Sequence, residues 1–271
     1  MKTLRIDTPN GAIAVRKSAG EGPAVVLVHG NSSSSRAFAR QLEGPLGRRF
    51  RLIAVDLPGH GESDDAKDPG AYSLPGYARA VRAIVDALGL GRAHFAGWSL
   101  GGHVVLEMAP DLPHGRGLMI FGTPPLAIPA AAGRGFRLHP AMRFTFQESL
   151  DSAEASAYVA AFFKPGFADV PAFFHTDVLR TDRRARSGLG ASVWSGLYRD
   201  EVAIVRDLKI PLAVAHGPED GLVNAEYFAA VPMPTLWRGA VQTIPDAGHA
   251  PHWETPEAFD ALIGSFVAET A

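Results

Sequence analysis

No cysteine occurs in the 271 residues. A disulfide framework, a thiolate nucleophile and a Cys-based zinc site are therefore excluded. Nowhere do about 18 apolar residues run together, as a membrane-spanning helix requires. The opening MKTLRIDTPNG has no apolar core of signal-peptide length, so a cytoplasmic location is the expectation. An excess of one charge is also lacking. The 26 Lys and Arg stand against 28 Asp and Glu, for a formal net charge of −2. No dense basic block is present, which argues against nucleic acid and anionic membrane surfaces as partners. The richest cationic run, LRTDRRARSG (179–188), is mixed with acid and reads as a solvated helix face. Repeats and low-complexity stretches are missing too. The chain is 46% hydrophobic and 20% charged, which fits one ordinary domain with room for an insertion.

What is present is an alternation. TLRIDT and AIAVRKS, separated by PNG, predict an antiparallel hairpin, because Asn-Gly suits a tight turn. Short, continuously apolar runs follow: AVVLVHG (24–30), RLIAVDL (51–57), AHFAGW (93–98), GLMIFG (117–122) and PLAVAHG (211–217). Such runs fit strands buried on both faces, as in a parallel sheet. Helical patterns lie between them, clearest in 74–91, where Tyr77, Val81, Ile84, Val85 and Leu88 recur at helical spacing before closing glycines. The expectation is an α/β sheet with right-handed crossovers.

One interval breaks the rhythm. From about Pro125 to Asp207 no strand-like run appears, and a structureless loop of that length is foreign to a compact domain. A helical insertion is predicted there. It carries Phe136, Phe144, Phe146, Tyr158, Phe162, Phe163, Phe167, Phe173, Phe174, Trp194 and Tyr198. Most of these are expected to form the insertion's own small core, and the remainder to line an apolar cavity facing the sheet.

The chemistry points to Gly97-Trp98-Ser99-Leu100-Gly101, a G-x-S-x-G between a predicted strand and a predicted helix. Such an elbow strains the serine backbone, lifts Oγ clear of the sheet and sets a helix N-terminus beneath it. A serine needs a base to take its proton, and in this arrangement the partners follow in the order Ser, Asp or Glu, His. His103 lies inside the helix the serine opens, and His216 ends a strand. His249, in the loop IPDAGHAPHWETP, is favoured over His252 as the base. Those two histidines could suggest a metal pair, but Pro251 breaks helical spacing and no third ligand stands near, so no metal is expected. Asp220, just past PLAVAH, is favoured over Glu219 as the acid that orients the imidazole. The oxyanion donors are expected to be the backbone N–H groups of Leu100 and Asn31.

HGN (29–31), DLPGHGES (56–63), GWSLGG (97–102), HGPED (216–220) and DAGHAPHWETP (246–256) together resemble the α/β-hydrolase superfamily over essentially the whole chain. That resemblance implies a mostly parallel eight-stranded sheet flanked by helices. Residues 1–124 and 208–271 would form the core, with 125–207 as a helical cap. HGNSSSS, GWSLGGH, RGLMIFGTPP, RTDRRAR and DAGHAP further resemble the metal-independent N-acyl-homoserine lactonases of this fold. The narrower likeness implies lactone ring opening with the acyl chain under the cap. Tyr158 would match a cap tyrosine that contacts substrate, and Trp98 is assigned with it to substrate binding. The acid position in those enzymes can be glutamate; here it is Asp220.

The expected activity is ester or lactone hydrolysis through an acyl-enzyme, without cofactor or metal, on a small molecule with an apolar acyl chain. A carboxylesterase or a cofactor-free perhydrolase would use the same residues. A small-ligand receptor built on the hydrolase pocket is the non-enzymatic alternative. Oligomeric state is left open, and a monomer is compatible with all of these.

Overall fold

A computed structural model of the chain describes residues 2–128 and 132–271. Among the described residues eight strands form one sheet: β1 Lys2–Thr8, β2 Gly11–Lys17, β3 Ala24–Val28, β4 Arg51–Val55, β5 His94–Trp98, β6 Gly117–Phe121, β7 Leu212–His216 and β8 Gln242–Thr243. Their order is β1-β2-β4-β3-β5-β6-β7-β8. The hairpin β1–β2 and the β2–β4 pair are antiparallel, and every other pair is parallel. This is the mixed, mostly parallel eight-stranded sheet of the α/β-hydrolase fold. The five apolar runs are its five central strands.

Alternate residues of these strands feed two cores. Val26, Val28 and Phe95 join the cluster on one face, while Val25, Leu27, Ala96 and Trp98 join the other. Helices cover both faces, as a sheet buried on each side requires. The helices are α1 Ala39–Glu43, α2 Pro45–Arg49, α3 Leu74–Ala87, α4 Leu100–Met108, α5 Ala132–Gly135, α6 Ser152–Ala160, α7 Ala172–Arg180, α8 Arg183–Trp194, α9 Glu201–Asp207, α10 Pro251–Glu254 and α11 Pro256–Thr270. The predicted helix at 74–91 is α3. Ser73 caps its N-terminus by accepting from the Gly76 N–H, and Tyr77, Val81, Ile84 and Val85 are its buried stripe. It stops at Ala87 because Gly89 turns left-handed (φ +63°) and the Leu90 N–H returns to the Val85 carbonyl.

Between β6 and β7 the described residues form α5 to α9 and a 3₁₀ stretch, Pro140–Thr145. Their aromatics pack on one another as expected, but the cluster they form is continuous with the domain core. Phe144, Tyr158, Phe162, Phe163 and Phe174 continue one sheet-face cluster through Trp98 and Trp253, and Leu189 and Tyr198 join the other. The insertion is packed as an extension of the domain, because its aromatics meet one another, as in Tyr158–Phe162 and Phe163–Phe174, and also Trp98 and Trp253 of the core. The cationic run also departs from expectation. Arg186 is only 3% exposed, since α8 turns it inward onto backbone carbonyls. Its neighbours Arg180 and Arg184 remain outside, near Asp65 and Asp182.

Parallel strands end level: Val28 pairs with Gly97, Trp98 with Phe121, and Phe121 with Ala215. The loops after β3, β5, β7 and β8 therefore converge at one edge, where open α/β sheets hold their ligands.

Candidate active site

The chain passes from β5 into α4 through Ser99, whose backbone lies at φ 52°, ψ −119°. A non-glycine residue holds such a conformation only where its surroundings over-determine it. The Ser99 N–H donates to the Phe121 carbonyl at 2.9 Å, and the Thr123 hydroxyl donates to the Ser99 carbonyl at 2.8 Å. The neighbouring glycines serve close approach. A Cβ on Gly97 would be driven into the Gly101 carbonyl, and one on Gly101 into the Val28 carbonyl. The strained residue is the serine itself; the glycines let the helix press against the strands beside it.

His249 sits in the loop between β8 and α10, 3% exposed. Its Nδ1 lies 2.8 Å from Asp220 Oδ2. Asp220, also 3% exposed, accepts at Oδ1 from the backbone N–H groups of Leu222 (2.8 Å) and Val223 (3.1 Å). Burial would raise its carboxyl, but the His249 imidazole and these donors outweigh burial and hold it below the usual carboxylate range. With Nδ1–H given to Asp220, Nε2 is the ring nitrogen left for the cavity. Glu219 points outward, 3.8 Å from Lys164.

Two groups hold the histidine loop: Trp98, expected from the sequence only as a substrate contact, and Glu254, which sequence reasoning did not single out. Trp98 Nε1 donates to the His249 carbonyl at 2.7 Å. Glu254 accepts from the N–H groups on either side of His249, Gly248 (2.8 Å) and Ala250 (3.2 Å), and from the cap residue Lys164 (2.6 Å). Glu254 lies within the quoted DAGHAPHWETP, yet its partners are backbone amides that no residue pattern displays.

The β3 loop is fastened to the cap. Asn31 Nδ2 donates to the Thr145 carbonyl at 2.8 Å, and Ser34 Oγ donates to buried Asp177 at 2.6 Å. Arg186 donates to Ser32 Oγ and to the carbonyls of Gln147, Glu148 and Val178. The backbone N–H groups of Asn31 and Leu100 have no acceptor among the described residues. His29 is a brace: its Nε2 accepts from the Leu57 N–H (3.0 Å), and its Nδ1 meets the Gly30 carbonyl.

A cavity of about 160 Å³ gathers six of the seven singled-out residues, namely Ser99, His249, Asn31, Leu100, Trp98 and Tyr158. Asp220 stands behind His249. Tyr158 is 4% exposed, with its hydroxyl near Thr145 Oγ1 (3.5 Å); burial pushes its phenol up to about 12. Five of the eleven insertion aromatics border the cavity: Phe136, Phe146, Tyr158, Phe162 and Trp194. His252 is fully buried and His216 packs against Phe228, so neither approaches the serine as a base. His103 pairs with Glu201 and borders the cavity as well. Among the described residues no group of three His, Asp or Glu is placed to hold a metal, and no helix is long and apolar enough to cross a membrane.

The profile of the alpha/beta hydrolase family matches residues 25–262. The crystal structure of the N-acyl homoserine lactonase AidH complexed with N-butanoyl homoserine superposes with a TM-score of 0.96 at 40% identity, covering 100% of this chain and 98% of that one. A pimeloyl-[acyl-carrier protein] methyl ester esterase of Stenotrophomonas maltophilia is 31% identical over 92% of this chain and 94% of its own length. An uncharacterized protein of Mycobacterium bovis is 37% identical over 111 residues, 41% of this chain but only 32% of that protein's length. An aryl esterase structure from Burkholderia cenocepacia, at 22% identity and a TM-score of 0.82, shares the fold.

Proposed function

This chain belongs to the alpha/beta hydrolase family, and on that premise we propose that it hydrolyses a carboxylic ester or lactone through an acyl-enzyme, with an N-acyl homoserine lactone as substrate. Ser99 Oγ attacks the carbonyl while His249 Nε2 takes its proton. Asp220 holds the imidazole and stabilises its cation. The N–H groups of Asn31 and Leu100 receive the oxyanion. His249 then returns the proton to the leaving alkoxide, and water activated by the same imidazole clears the acyl group. In a lactone the leaving alcohol stays tethered, so ring reclosure competes with hydrolysis. Tyr158 and Trp98 wall the substrate side.

The observation that carries this reading is one small cavity bordered by both Ser99 and His249, with Asp220 2.8 Å behind the imidazole. The lactone is supported by the full-length likeness to a lactonase at 40% identity. An ester substrate is the second reading, supported by the 31% identity to a methyl ester esterase.

The test offers purified protein and Ser99→Ala a series of acyl-homoserine lactones and p-nitrophenyl esters. Ring opening that reverses on acidification and vanishes in Ser99→Ala is the expected result. Ester turnover without lactone turnover moves the assignment to a carboxylesterase, and release of free homoserine lactone moves it to an amidase. Tight lactone binding with no turnover by either protein overturns the enzymatic reading.

A further inference from the structure

A second histidine–carboxylate pair borders the same cavity. His103 stands one turn along α4 from Ser99, its backbone N–H reaching the Ser99 carbonyl at 3.4 Å. That is about 6 Å of helical rise from the nucleophile. Its imidazole is nine-tenths buried, and Nδ1 lies 2.9 Å from each carboxylate oxygen of Glu201. Glu201 is fully buried on α9 and also accepts from the Leu126 N–H at 2.7 Å. No lysine or arginine pairs with it among the described residues; the nearby Arg199 serves Glu107 and Asp111 instead.

A buried carboxylate needs a countercharge or donors. The His103 ring and the Leu126 N–H are the donors that meet Glu201, so the ring's Nδ1–H is committed to the carboxylate and Nε2 carries the lone pair, an acceptor. Nε2 has no partner among the described residues, and His103 is a lining residue of the cavity. Its surroundings there are apolar. Phe136 stands with its ring centroid 6.2 Å away, and Leu126 adjoins through Glu201. The other polar lining groups, among them Asn31, Thr145 and Tyr158, are tied together around the serine. One polar atom is thus set alone in an apolar wall, a helical turn beyond the nucleophile.

We propose that His103, oriented by Glu201, is a specificity-determining residue whose Nε2 accepts a hydrogen bond from a hydroxyl group carried on the acyl chain, a few carbons beyond the scissile carbonyl. This rests on the hydrolase reading for the direction in which the chain lies. An unsubstituted chain leaves Nε2 desolvated and unpaired, which costs affinity; a hydroxyl-bearing chain donates to it and restores the hydrogen bond. Discrimination of about tenfold is the scale such a bond supports.

The experiment measures binding so that it does not depend on turnover. Ser99→Ala protein is titrated calorimetrically with homoserine lactones carrying octanoyl, 3-hydroxy-octanoyl and 5-hydroxy-octanoyl chains. One of the hydroxy chains is expected to bind about tenfold more tightly than octanoyl. His103→Phe in the same background is expected to bring that ratio close to one, and His103→Gln, which still presents a hydrogen-bonding group, to retain part of it. Thermal melts check that both variants are folded, and His103→Gln keeps the test decisive if His103→Phe is not. Equal binding of all three chains, or a ratio that survives His103→Phe, overturns this inference and leaves the hydrolase reading standing. A hydroxy preference in a protein whose Ser99 form turns over nothing overturns the hydrolase reading instead. Failure of every chain to bind overturns both.

Discussion

His249 and His252 stand three positions apart, and they are almost equally buried, at 3% and 0% exposed. Their surroundings are opposite. His249 ends a loop, gives Nδ1 to Asp220 and has its carbonyl held by Trp98. His252 lies inside α10 with neither ring nitrogen hydrogen-bonded among the described residues. Around it stand Trp98, Phe38, Phe121 and Phe259, with ring centroids 4.7, 5.1, 5.3 and 5.9 Å away. Burial, with help from the neighbouring His249, lowers its pKa to about 3, so it is a neutral aromatic plate under the site. Burial therefore does not distinguish a base from a packing ring. A carboxylate at one nitrogen and a cavity at the other do.

The largest expected effect comes from removing the first ring. His249→Gln lowers kcat on the order of 10⁵-fold, measured by single turnover on the best substrate found; a loss below tenfold would remove His249 from the mechanism. Asp220→Asn is next. An amide at Oδ2 offers N–H to Nδ1 and selects the wrong tautomer, so kcat falls on the order of 10³- to 10⁴-fold. Asp220 also contributes to stability. Its native pKa is lowered, so its stabilisation is present above the ordinary carboxylate pKa and lost as pH falls through the native value. Asp220→Asn should accordingly flatten the acid side of the stability curve followed by urea unfolding.

Glu254→Gln probes the frame rather than the ring. A glutamine can accept with one oxygen only, so either the pair of amides flanking His249 or the Lys164 amide loses its partner. Misplacing the imidazole by a fraction of an ångström predicts a kcat reduced about 10- to 100-fold with KM little changed. Active-site titration separates this from partial unfolding: every site should still acylate, only slowly. A proportional loss of titratable sites would make Glu254 a stability residue instead.

The parts of this arrangement that could be read in advance are those written in contiguous residues. The hairpin was legible because Asn-Gly sits between alternating runs, and the five central strands because burial on both faces makes each run apolar throughout. The elbow was legible because strand, Gly-x-Ser-x-Gly and helix are neighbours in sequence. Asp220 and His249 followed from their place after strand ends. The illegible parts depend on partners far along the chain. Arg186 looks like one more charge in a solvated run, yet it is buried by the carbonyls of Gln147, Glu148 and Val178 together with Ser32, 154 positions away. Glu201 is an ordinary first-turn acid of α9 until Leu126 and His103 are seen against it. The insertion's aromatics carry no period that says which face the cavity. That choice is made by packing against Trp98 and Trp253, so it cannot be read from spacing.

The smallest expected effect sharpens the comparison most, because it isolates the second ring. His252→Phe replaces two unpartnered buried nitrogens with carbon inside a nest of aromatic rings, a change that is nearly neutral or mildly stabilising at pH above 7. Turnover should stay within about threefold of the unmodified protein, against the loss of about 10⁵-fold at the first ring. The difference appears on acidification. An unfolded histidine takes up its proton near pH 6.5, whereas the native His252 ring does so only at about 3. Across that window unfolding binds one extra proton at this residue, so its presence costs stability as pH falls, by about 1.4 kcal/mol per pH unit. The buried rings of His60 and His94, lowered to about 3 and about 4, impose the same slope on both proteins and cancel in the comparison. The variant should therefore gain on the unmodified protein by about 2 kcal/mol between about pH 6.5 and about pH 5, read from urea midpoints at matched ionic strength. Parallel curves would mean that the native ring at position 252 accepts a proton as readily as the unfolded one, and the contrast between the two histidines would then rest on Asp220 alone.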